Sequence, residues 1–96
     1  MHNNVIVDSS LTTQHAKSLI KVKVEILQDM VKNRNQFAAT MKRVEELLSQ
    51  ISETDNNDEI AAMNLLLDML MDNAQHNMRQ VKRGEDALYQ LKEVKV

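Results

Sequence analysis

Cysteine, proline and tryptophan are absent from this 96-residue chain, glycine occurs once, and Phe37 and Tyr89 are its only aromatic side chains. Each absence excludes something. Without cysteine there is no disulfide framework, no thiolate metal site and no cysteine nucleophile. With one glycine and no proline, the tight turns of sandwiches and barrels have almost no raw material, and the phosphate-cradling loops of nucleotide-binding proteins have none. No apolar run approaches the ~20 residues that cross a bilayer, and Val5-Ile6-Val7 is too short for the core of a signal peptide, so neither a span nor a leader is expected. The net charge of −2 gives no global electrostatic case for nucleic acid or an anionic membrane.

What is present is helical. Val, Ile, Leu and Phe make up 26 of the 96 residues, enough for a folded chain, and they recur by threes and fours. The first ten residues lack that period and read as a flexible arm, with residues 11–96 as the folded domain. Side-chain oxygens from Asp8 to Gln14 offer caps for a first helix, expected over about 11–52. Its main seam is expected at Ile20, Val24, Leu27, Val31, Ala38, Met41, Val44, Leu48 and Ile51. A break within the weak helix formers Asn33 to Gln36 stays open. Residues 52–58 contain no apolar side chain and form the turn. Asn56, three residues before Glu59, predicts a capping box and a second helix over about 57–93. Its seam runs Ile60, Met63, Leu67, Leu70, Ala74, Asn77, Val81, Gly84, Leu88, Leu91, with Gly84 tolerated inside the helix.

Two helices on so short a link run antiparallel, and facing residue numbers then sum to about 111. That register sets Ile51 against Ile60, Val44 against Leu67, and Leu27 against Gly84. It also sets Arg34 against Asn77, a polar layer that could fix register. A second stripe on the first helix, with the apolar stretch of the second, exceeds what a pair can cover. Leu19, Ile26, Met30, Phe37, Leu47, Leu66, Met69, Met71 and Met78 are therefore expected to meet a partner, completing a four-helix bundle with a second copy or another helical protein. Methionine makes such a surface adaptable. The turn end is acidic, with six acids and no base from 53 to 72, and the open end is basic.

Catalytic chemistry is missing from the pattern. Di-iron bundles need Glu three residues before His, where this chain has Thr12 and Asn73, and Asp72 with His76 is half a metal site. No cofactor and no enzymatic activity are expected. The basic clusters Lys17-Lys21-Lys23 and Lys82-Arg83 lack the spacing of a helix-turn-helix, so nucleic acid is unfavoured as a partner.

Val5-x-Val7, Leu11, Ala16 and Leu19 leading into a long helix, with Tyr89-x-x-x-Glu93 closing a second, resemble the small helical-hairpin proteins of type VII secretion, the WXG-type early-secreted-antigen superfamily. That superfamily has Trp-x-Gly at its turn where this chain has Thr54-Asp55-Asn56-Asn57-Asp58, so the likeness is closer to the Trp-less branch encoded with LXG toxins. The resemblance implies a hairpin that completes a four-helix bundle. It also implies a role as targeting partner or chaperone for a toxin's helical region, with Tyr89 and Glu93 as a secretion signal. The chain would then be cytoplasmic, or exported with its partner by a non-Sec route. A co-chaperone or adaptor of another system, such as type III secretion, would use the same stripes without the terminal signal. A small nucleic-acid-binding regulator is the third class.

Overall fold

The computed structural model describes residues 2–92, with side chains from Thr13 to Lys92. It contains two helices, α1 (His2–Glu53) and α2 (Asn57–Lys92), packed against each other along their lengths. The rod measures 82 × 15 × 14 Å. A helix of 52 residues accounts for ~78 Å of that length, so α1 sets the long axis and α2 covers the part of it nearest the turn.

α1 is continuous through Asn33 to Gln36. The stretch is held because Asn33 turns inward, where its Nδ2 donates to the Asp29 carbonyl at 2.9 Å and to Asp29 Oδ2 at 3.3 Å. At the other end α1 starts at His2, ahead of the Asp8–Gln14 cap cluster and through the residues read as an arm. Extending an existing helix needs no new nucleus, and no proline or glycine stands in the way.

The turn is Thr54, Asp55 and Asn56. Asn56 caps α2: its Oδ1 accepts from Asp58 N at 2.9 Å and Glu59 N at 3.3 Å, and Ile60 N donates to its carbonyl at 3.0 Å. Glu59 completes the box through a relay. Thr54 Oγ1 donates to Glu59 Oε2 at 2.7 Å and accepts from Asn56 N at 3.2 Å. Asp58 and Glu59 in the first turn complement the helix dipole, and Lys92 does so in the last.

The α2 seam lies where its period predicts, with Leu70 and Asn77 buried and Met63, Leu67, Ala74, Val81, Gly84, Leu88 and Leu91 half-buried. Ile60, 38% exposed, is the least covered of the seam residues. Of the expected α1 seam only Val44 and Ile51 turn to α2. The residues turned to α2 are Leu19, Lys23, Ile26, Met30, Asn33, Phe37, Thr40, Val44, Leu47 and Ile51, whereas Ile20, Val24, Leu27, Val31, Met41 and Leu48 face solvent. The reason is phase. Traced back from Ile51, the observed positions alternate strictly by four and three. The expected series contains two consecutive steps of three at Ala38-Met41-Val44, a stammer that would overwind the pair. The hairpin keeps an unbroken heptad and accepts Lys23, Asn33 and Thr40 within it.

The register survives that rotation. Gly84 lies against Met30 and Ile26, the two seam residues that flank Leu27, and not against Leu27 itself. A Cβ on Gly84 would fall 2.7 Å from Met30 Sδ and 3.5 Å from Ile26 Cγ2. The backbone there is ordinary helix with negative φ, so the glycine provides space.

Candidate interaction surface

The one-residue rotation of α1 decides which side chains are free. Leu19, Met30 and Leu47, expected at a partner interface, are 8%, 6% and 4% exposed in the single chain and have no area left to offer. Ile26 and Phe37 are half-buried beside them. These five belong to the hairpin's own seam, because they occupy its unbroken heptad phase. Of the expected polar layer, Asn77 is buried at a seam position, whereas Arg34 stands exposed one residue past the α1 seam position held by the buried Asn33.

The free apolar surface of α1 is the stripe one residue beyond each seam position: Ile20, Val24, Leu27, Val31, Met41 and Leu48. Ile20 is 60% exposed and Leu48 67%, so the stripe is uncovered at both ends. Arg34, Ala38 and Glu45 complete its spacing. On α2 the residues in the same relation to the seam include Met71, Met78, Lys82 and Glu85. Arg34 Nη2 lies 3.6 Å from Glu85 Oε1, which shows that the two flanks share one face of the hairpin. Between them Phe37, Met78 and Val81 floor a shallow cleft of about 320 Å³ with Arg34, Lys82 and Glu85 at its rim. Lys82 also pairs with Asp86 at 3.4 Å along α2.

The opposite face is different. There α1 presents Ser18, Val22, Glu25, Asp29, Lys32, Gln36, Ala39, Arg43 and Glu46, which is polar apart from Val22 and Ala39. Its clefts are lined by groups such as Gln36, Thr40, Arg43, Asn73 and His76. Apolar area on that side is scattered, with Val22 exposed near the open end beside Ile26 and Ala87, and Leu66 and Met69 exposed at the turn end of α2. The hairpin is thus apolar along its length on one face only.

Of the other expected site residues, Met71 and Met78 are exposed on the apolar face and Leu66 and Met69 on the other. Tyr89 is exposed near the end of α2, and Glu93 lies outside the described residues. Among the described residues no group of three or more His, Asp or Glu is placed to hold a metal ion, and no helix is long and apolar enough to cross a membrane. The stripe that sequence reasoning assigned to the hairpin core was visible in the sequence, and its role was exchanged with that of its neighbour.

No family model, curated protein or solved structure matches the chain.

Proposed function

We propose that this protein is a non-catalytic helical interaction module whose apolar face is closed by helices of another polypeptide. The observation that carries the reading is the stripe from Ile20 to Leu48, an exposed edge apolar at seven of its nine positions, on a chain whose other face is mainly polar. Soluble monomers seldom leave such an edge open, and apolar area rimmed by charge marks an interaction site. Helices suit it best, since a second heptad of α1 offers the holes that another helix's side chains fill.

Within that reading, the client is the helical N-terminal region of a type VII secreted toxin, and the hairpin acts as targeting partner or chaperone, contributing Tyr89 and Glu93 to a composite export signal. The resemblance at the chain ends and the exposure of Tyr89 support it. Leu27→Glu should abolish capture of the toxin region, whereas Tyr89→Ala should stop its export and leave capture intact. Loss of capture without an export defect in Tyr89→Ala would contradict the signal.

A second reading, a co-chaperone or adaptor of another secretion or regulatory system, rests on the stripe alone, which needs no terminal signal. In that case removal of residues 89–96 leaves partner binding and function unchanged.

A further inference from the structure

Among the described residues, the buried polar side chains are Asn33, Thr40 and Asn77. Asn33 bonds to Asp29, whereas Thr40 and Asn77, 9% and 5% exposed, make no hydrogen bond to any described residue. Neither is sealed in, since no side-chain nitrogen or oxygen among the described residues is both closed to solvent and without a partner. Both open onto one cleft of about 390 Å³ on the polar face of the hairpin. Thr and Asn are also weak helix formers, so neither the helices nor the seam accounts for them, and unpartnered buried polar groups call for a reason.

We infer that this cleft binds a phosphate group, free in solution or carried by a small phosphate ester. Apart from one alanine, its lining is Gln36, Thr40, Arg43, Asn73, His76 and Asn77. Each of these brings an N–H or O–H donor; Arg43 and His76 can carry positive charge, and none can carry negative. A phosphate, with three strong acceptor oxygens, engages such a set more fully than a carboxylate with two. Arg43 and His76 are free for it, because neither has an ion-pair partner among the described residues. Glu46 and Asp72, one turn along each helix, lie outside the cleft lining.

Antiparallel packing brings the two cations together. Side chains lean toward the N-terminus of their own helix, so Arg43 on α1 leans away from the turn and His76 on α2 leans toward it. With facing numbers summing to about 111, the two stand about eight positions apart, or ~12 Å along the axis. The lean of both closes that gap over Thr40 and Asn73, with the buried Asn77 amide beside them. Glu46 and Asp72 flank the cleft and repel a polyanion, so a single phosphate fits it better than a nucleic-acid backbone. The site faces away from the apolar stripe and does not depend on what covers that stripe.

The test is a nuclear magnetic resonance titration of the isotope-labelled full-length chain, at hundreds of micromolar, with inorganic phosphate. Sodium chloride holds the ionic strength constant. The side-chain amides of Gln36, Asn73 and Asn77 should shift and saturate. Arg43→Gln should weaken the affinity about tenfold or more, and Thr40→Val, which keeps the shape and removes the hydroxyl, about fivefold. Circular dichroism should show Thr40→Val folded and melting no lower than wild type, which a hydroxyl needed by the fold would not allow. Shifts that follow chloride as closely as phosphate, no saturation by tens of millimolar, or undiminished affinity in Arg43→Gln would overturn the site and leave water as what meets Thr40 and Asn77. Equal affinity for acetate would overturn phosphate as the bound group. A response to a short oligonucleotide with none to phosphate would overturn it in favour of a nucleic-acid surface.

Discussion

At Gly84 two opposing effects meet on one atom. An alanine there would gain about 1 kcal/mol of helix propensity. Its Cβ would, however, fall 2.7 Å from Met30 Sδ, and overpacking of that kind costs about 1–3 kcal/mol. Gly84→Leu should therefore lower stability clearly, whereas Gly84→Ala should turn from neutral or harmful to stabilising once Met30→Ala has removed the obstacle. Urea denaturation of the four-protein cycle measures the coupling, and equal effects of Gly84→Ala in both backgrounds would contradict the contact. Asn77 poses the converse case. It is 5% exposed on the otherwise apolar α2 side of the seam, where a polar group secures register at some cost in stability. Asn77→Leu should raise the melting midpoint, by roughly 4–8 °C if the gain is 1 kcal/mol, and loosen the alignment of α1 on α2. A fall in the midpoint would mean that the amide stabilises the seam outright.

The helices themselves were legible to different degrees. α2 and its cap follow from spacing alone: its strict three-and-four series is the one observed, and Asn56 caps where the pattern places it. For this cap, Asn56→Ala should cost about 1 kcal/mol of unfolding free energy. Thr54→Val should cost less, since it breaks only the relay to Glu59. Equal stability of Asn56→Ala and wild type in urea would show that the turn does not need its cap. α1 was harder to read because it carries two heptads one residue apart. Average hydrophobicity favours the wrong one, since the true seam includes Lys23, Asn33 and Thr40. The deciding signal was phase: the series led by Ile20 stammers at Ala38-Met41-Val44, and the one ending at Leu47 and Ile51 does not. An amphipathic count weighs residues singly, and a coiled seam depends on their unbroken sequence along ten positions. For the interaction surface the consequence is an exchange: Leu19, Met30 and Leu47 hold the hairpin together, and Ile20, Leu27 and Leu48 are what it presents.

For the whole molecule, 82 Å of rod with a cross-section of 15 × 14 Å leaves no interior beyond one seam. No side chain among the described residues is wholly buried, and the buried apolar core is Leu19, Met30, Leu47 and Leu70. A core this thin buries little apolar surface to set against the conformational entropy of ordering the chain. Stability and partner binding are therefore one property, and the melting temperature should rise with protein concentration, as it does for chains that fold by associating. Sedimentation equilibrium of the purified full-length chain from nanomolar to hundred-micromolar concentration tests this most directly. The account predicts a reversible passage from an 11.0 kDa species of low helicity to a helical species of higher mass. A fully helical 11.0 kDa monomer across the whole range, with a melting midpoint independent of concentration, would contradict it.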